Sequence, residues 1–226
     1  MDSAALTALL VPLALAALDW VAVARRWQRV GYLTKPGVIF ALLAWLWSVT
    51  GFQAPAGWFA AGLLFCAIGD ILLMLPHERF PLATLTFFCA ITCYTIGFNI
   101  TQPPAIDLPS MIILLLVALA SQQLGRRLAA GLAECGQQAF RLPLVIYLVA
   151  ISIMLASALL TLVRPAWEAN AALACSAGGL LLYFADVVFQ AYNRLDMPAP
   201  NRRIWRRMTY QGGQILLILG VALQFA

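Results

Sequence analysis

The sequence predicts an all-α, polytopic membrane protein with eight transmembrane helices. Three observations predict it. The 226 residues are 63% hydrophobic and only 10% charged, with a mean hydropathy of +0.90, whereas a soluble domain carries about 25% charged residues. Most apolar runs are unbroken over about 17 to 22 residues, the length of a spanning helix, whereas spanning β-strands would alternate apolar and polar positions. Finally, Lys and Arg concentrate in alternate loops, as they do in multi-spanning helical proteins.

The predicted spans are residues 4–24, 37–51, 57–75, 81–100, 108–124, 142–163, 169–190 and 208–225, forming one integral membrane domain over 1–226. The first run, "LTALLVPLALAALDWVAVARR", has its positive charges after the apolar stretch. A cleavable signal peptide has the opposite order, so this reads as a retained helix that starts outside. The second span is short and could begin near Leu33. Pro36, Pro55, Pro76, Pro81, Pro103, Pro104, Pro109, Pro143 and Pro165 all fall near predicted boundaries, where proline disturbs a helix least. Of the fourteen Lys and Arg residues, only Arg164 falls on the second side of this topology. The basic side is cytoplasmic by the positive-inside rule, which places both termini extracytoplasmic.

The net charge of +5 does not point to nucleic acid, because the basic residues sit in short clusters between apolar runs. Their partners are membrane lipids with anionic head groups. Cys66, Cys89, Cys93 and Cys175 lie inside apolar runs and Cys135 in a loop, with no CxxC. Neither a disulfide framework nor a metal site is expected. The single histidine, His77, sits beside Glu78 in a loop, too little for a His-rich zinc site or a Ser-His-Asp triad. No P-loop or dinucleotide fingerprint is present, and no cofactor is expected.

Two acids lie inside spans. "GLLFCAIGD" ends at Asp70 and "GGLLLYFAD" ends at Asp186, each with Gly eight residues before Asp. The third and seventh spans run in the same direction, which fits two parallel four-helix halves. From the outer surface the two acids lie about twelve and about seventeen residues along their helices, within about one to two turns of each other in depth. An unpaired Asp at a span centre costs about 2.5–3.5 kcal/mol on insertion scales. Such residues serve as functional groups facing a polar cavity or as protonated interhelical glue. Asp19, near Arg25 and Arg26, reads as an ordinary interfacial acid.

Other polar residues fall at this level. Tyr210 and Gln214 are four apart, hence on one helix face, with Gln211 beside them. Tyr183 precedes Asp186 by three residues, and Tyr94 is the deep hydroxyl of the fourth span. Lys35 and the cluster Arg202, Arg203, Arg206 and Arg207 border the cytoplasmic side. Topology accounts for these cations, and they also stand where a lipid phosphate would be held.

The stretches "GLLFCAIGDILLM", "FFCAITCYTIGF", "GGLLLYFADVVF", "TYQGGQILLILG" and the "TKP" at Lys35 and Pro36 together resemble the YhhN family of membrane proteins, whose characterised members are lysoplasmalogenases. The likeness runs from the second span to the eighth. Ile91 stands where a family histidine is expected shortly before Tyr94.

The resemblance implies a hydrolase that cleaves the vinyl ether bond of a lysophospholipid substrate, releasing a fatty aldehyde and a glycerophospho-ethanolamine or -choline. It also implies a multi-pass protein, expected in the bacterial inner (plasma) membrane. Vinyl ether hydrolysis begins with protonation of carbon and passes through an oxocarbenium ion that water captures. Paired carboxylates serve a comparable cation in glycosidases. On this reading Asp186 is the acid and Asp70 the carboxylate. Tyr94, Tyr183, Tyr210, Gln214 and Lys35 bind or orient substrate. A second function class stays open, because buried acids and parallel repeats also serve proton-coupled transporters.

Overall fold

The described residues of the computed structural model are 3–75, 80–101, 107–134, 136, 141–188 and 202–226. Helices follow one another throughout them: α1 (Ser3–Ala8), α2 (Leu10–Ala24), α3 (Gln28–Thr50), α4 (Ala56–Leu72), α5 (Phe80–Asn99), α6 (Leu108–Glu134), α7 (Arg141–Leu160), α8 (Ala169–Tyr183) and α9 (Arg202–Phe225). No strand occurs among the described residues. His77, Glu78, Arg79, Cys135 and Arg194 lie outside them.

Among the described residues five helices are long and apolar enough to cross a membrane: Gln28–Thr50, Pro81–Asn99, Leu108–Glu134, Arg141–Val163 and Ala169–Val187. Leu10–Ala24 and Ala56–Leu72 are apolar but shorter. Bonds from Leu9 N–H to Ala5 and from Leu13 N–H to Leu9 carry α1 into α2 as nearly one rod. The last helix is long, but its polar residues Thr209, Tyr210, Gln211 and Gln214 lower its hydropathy.

Several boundaries differ from those expected. α3 starts at Gln28 rather than at 37, with Pro36 inside it. Proline removes one helix hydrogen bond and its ring crowds the carbonyl one turn back, yet α3 continues past it, packed against α2 and α4. α6 runs about ten residues past the predicted end, through Arg126 and Arg127, because "RRLAAGLAE" contains good helix formers. At its start Asp107 accepts a bond from Ser110 N–H at 3.1 Å. The Ser110 hydroxyl and this N–H hold the Asp107 carboxyl below its ordinary pKa.

Helix pairing forms a closed circuit. α2 packs on α3, α3 on α4, α4 on α5, α5 on α7, α7 on α8 and α8 on α9, and α9 returns to α2, α3 and α4. α6 packs mainly on α7 and stands outside the circuit, far less buried than α7 and α8. The two halves of the chain repeat this order. The α2–α3, α3–α4, α4–α5 and α3–α9 pairs have counterparts in α6–α7, α7–α8, α8–α9 and α7–α5. The sequence separation that relates Asp70 to Asp186 also relates Gly62 to Gly178, Tyr94 to Tyr210 and Gly97 to Gly213.

Small residues hold the tightest pairs, as expected where lipid supplies no hydrophobic drive between helices. In α4–α5 an aromatic ring covers a glycine on the facing helix: Tyr94 on Gly62, Phe87 on Gly69 and Phe59 on Gly97. In α8–α9 the backbones themselves meet, with Gly178 against Gly213 and Leu217. Contacts of Asp19 with Thr34 and Arg207, of Asp70 with Lys35 and of Asp186 with Tyr147 bring the ends of α2, α4 and α8 beside the starts of α3, α7 and α9 at one end of the bundle. This end carries Arg25, Arg26, Arg29, Arg126, Arg127, Arg203, Arg206 and Arg207, and Arg164 lies at the opposite end.

Candidate functional site

The basic end of the bundle gathers the polar side chains. Asp70 lies in the last turn of α4, 1% exposed. Its Oδ1 pairs with Lys35 Nζ of α3 at 2.7 Å. Its Oδ2 is buried and has no hydrogen-bond partner among the described residues. Lys35 therefore turns inward to the carboxylate rather than outward to the rim.

One turn before Asp70, Cys66 joins a triangle. Tyr94 of α5 donates to Gln214 Oε1 of α9 at 2.7 Å. Gln214 Nε2 donates to Cys66 Sγ at 3.2 Å. The Tyr94 hydroxyl also lies 3.8 Å from that sulfur. Gly62 makes this possible, since any Cβ there would occupy the Tyr94 ring position. Tyr210, one turn before Gln214 on α9, is 7% exposed and meets Phe87 edge to face. Among the described residues its hydroxyl makes no conventional hydrogen bond, and its polar neighbour is the Cys66 thiol. It lies within electrostatic range of Asp70, Asp186 and Cys66.

Asp186 sits in a π-helical turn, Phe184–Val188, that continues α8. Its Oδ2 accepts a bond from Tyr147 of α7 at 2.7 Å. Among the described residues no cation contacts it, but Arg206, Asp70 and Lys35 lie within electrostatic range. The π turn closes its hydrogen bonds over five residues instead of four, which changes the phase between Asp186 and the helix before it. Tyr183 consequently does not join Asp186. Its hydroxyl bonds Ser121 of α6 at 2.9 Å, and Ser152 of α7 donates to the same Ser121 at 2.7 Å.

Asp19 is not an ordinary interfacial acid. It is fully buried. It receives Arg207 at 2.9 and 3.2 Å, Gln211 Nε2 at 2.8 Å and the Thr34 hydroxyl at 2.5 Å. Arg25 and Arg26 are exposed and bond elsewhere through their backbones. Asp19 thus clamps α2, α3 and α9 together. The polar residues of α9 form two neighbouring stripes. Arg207 and Gln211 are spent on Asp19, while Arg206, Tyr210 and Gln214 face the region of Asp70 and Asp186.

The structure therefore brings Lys35 to Asp70, joins Tyr94 to Gln214, and sets Tyr210 and Asp186 within range of that pair. It sends Tyr183 elsewhere. Sequence reasoning overlooked Cys66, Tyr147 and the clamp at Asp19. Cys66 was detectable as the residue four before Asp70, on its face. Tyr147 carried no signal beyond a hydroxyl in an apolar run. Among the described residues no three His, Cys, Asp or Glu side chains gather as metal ligands.

A model of the YhhN family matches residues 30–221. The chain belongs to the YhhN family. Comparison with curated proteins and with solved structures finds no match. The matched region of this YhhN protein contains Lys35, Asp70, Tyr94, Tyr147, Asp186, Arg206, Tyr210 and Gln214, and leaves Asp19 outside. Ile91, where a family histidine was expected, is 5% exposed in the apolar core. It offers no polar atom to the site.

Proposed function

We propose that this protein is a membrane hydrolase that cleaves the vinyl ether bond of lysoplasmalogens. The observation that carries the reading is the unlike setting of two intramembrane carboxyls. Asp70 is ion-paired with Lys35, whereas Asp186 is held by a neutral phenol, Tyr147. Carboxyls in different environments divide acid and base work.

In this reading Asp186 delivers a proton to the β-carbon of the vinyl ether. The positive charge that develops at the α-carbon and ether oxygen is met by the Asp70 carboxylate. Water adds to the α-carbon and returns a proton to Asp186. The resulting hemiacetal collapses to a fatty aldehyde and a glycerophospho-ethanolamine or -choline. Asp70 Oδ2, without a hydrogen-bond partner among the described residues, and the Tyr210 hydroxyl beside Cys66 orient the water and the ether oxygen. The Tyr94–Gln214–Cys66 triangle fixes the floor of the site. The alkenyl chain lies among apolar helix faces.

The same reading places all eight rods across the bacterial inner membrane as two parallel four-helix halves. The basic end faces the cytoplasm and both termini lie outside. It is tested with purified protein in detergent or nanodiscs. Aldehyde release from lysoplasmalogen is expected, with loss in Asp70→Asn and in Asp186→Asn. Full activity in either folded variant defeats the mechanism.

A proton-coupled transporter is the second reading, favoured by the buried Lys35–Asp70 pair inside a two-half bundle. Proton-coupled flux in proteoliposomes without aldehyde formation selects it.

A further inference from the structure

We propose that Arg206 is the residue that holds the phosphate of the substrate lipid, and so selects phospholipids over uncharged glycerol ethers. The inference rests on the hydrolase reading and adds a specificity residue to it. Three basic side chains converge on the acids, and two are committed. Lys35 is paired with Asp70, and Arg207 with Asp19. Arg206 is half-buried, and among the described residues no carboxylate contacts it. It nevertheless lies within electrostatic range of Lys35, Tyr147 and Asp186.

The geometry of α9 gives this cation a defined place. Arg206 is one turn before Tyr210 and two before Gln214, so the three lie along one stripe. A turn rises about 5.4 Å, the scale of a glycerol backbone between an sn-1 ether oxygen and an sn-3 phosphate. A lipid whose ether oxygen reaches the nine-tenths buried Tyr210 hydroxyl, which makes no conventional hydrogen bond among the described residues, thus presents its phosphate to Arg206, toward the basic end. The guanidinium is suited to this role, because its fork matches phosphate oxygens two at a time. The clamp of Arg207 and Gln211 on Asp19 fixes the rotation of α9. The Arg206 stripe is thereby kept toward the acids.

The test compares two substrates with the same alkenyl chain: a lysoplasmalogen and the 1-alkenylglycerol that lacks phosphate. Wild-type protein should prefer the phospholipid in kcat/KM. Arg206→Gln should cut that preference by about 10- to 100-fold, the range expected for a lost charge-assisted bond, mainly through KM. Arg206→Lys should restore part of it. An unchanged ratio in Arg206→Gln overturns the assignment and leaves Arg206 as a contact for bulk lipid. If wild-type protein releases aldehyde from neither substrate, the hydrolase reading has failed and binding decides the rest. A saturated 1-alkyl lysophospholipid, which cannot be hydrolysed by this chemistry, should then bind wild-type protein at least tenfold tighter than Arg206→Gln. Equal affinity, or binding of inorganic phosphate without binding of that lipid, overturns the proposal.

Discussion

Lys35 of α3 and Asp70 of α4 meet at 2.7 Å, with only 12% and 2% of their side chains exposed. A charge pair this enclosed is weak evidence for stability, but removing one partner strands the other, at a cost of about 3–5 kcal/mol. Lys35→Met should therefore lower the melting temperature sharply in detergent. The double variant Lys35→Met with Asp70→Leu should recover most of the loss. If the double variant is as unstable as the single one, the pair is not the interaction that was broken.

Tyr147 and Tyr183 give a contrast within the same region. Tyr147→Phe removes the bond to Asp186 and should lower kcat by about 10-fold, the value of about 1.4 kcal/mol in a barrier. Tyr183→Phe removes only a bond to Ser121, worth about 1 kcal/mol of stability, and should affect kcat much less. Equal losses of kcat in the two variants would mean that Tyr183 reaches the acids after all.

Gly62 lies under the Tyr94 ring. Gly62→Ala should force that ring away and break its bond to Gln214, costing about 1–3 kcal/mol by overpacking. Thermal unfolding and aldehyde release should both decline. A variant with wild-type stability and activity contradicts the proposed role of this close approach.

Asp19 stands outside the acid pair but controls α9. Asp19→Ala strands Arg207 and Gln211, and a loss of about 3 kcal/mol is expected. Arg207 is 22% exposed and can partly reach water, which keeps the figure at the low end. The variant should also raise KM, because the stripe carrying Arg206, Tyr210 and Gln214 loses its fixed rotation. A stability loss with KM unchanged would confine Asp19 to a purely structural role.

The sequence was most informative where local chemistry governs. The apolar runs located the helices, and "GLLFCAIGD" and "GGLLLYFAD" marked the two acids. Tyr94, Tyr210 and Gln214 were visible as hydroxyl and amide groups at a shared depth. It was least informative where neighbouring helices decide. Pro36 read as a boundary but lies inside α3, where packing against α2 and α4 outweighs the lost hydrogen bond and the crowded ring. Asp19 sat close to Arg25 and Arg26 in sequence, yet its partner is Arg207, brought near only by closure of the helix circuit. Tyr183 satisfied the i, i+3 rule with Asp186, but the π turn at Phe184–Val188 shifts the phase that rule assumes. No pattern in one sequence announces such a turn.

The central claim is that Asp70 and Asp186 divide the chemistry of vinyl ether hydrolysis. It is tested most directly by single-turnover aldehyde release from a lysoplasmalogen by wild-type, Asp70→Asn and Asp186→Asn proteins, each shown to be folded by its melting transition. The account predicts release by wild-type protein and a loss of at least about 100-fold in each variant, as for removal of a general acid or base. Undiminished release by either folded variant, or no release by wild-type protein, would contradict it.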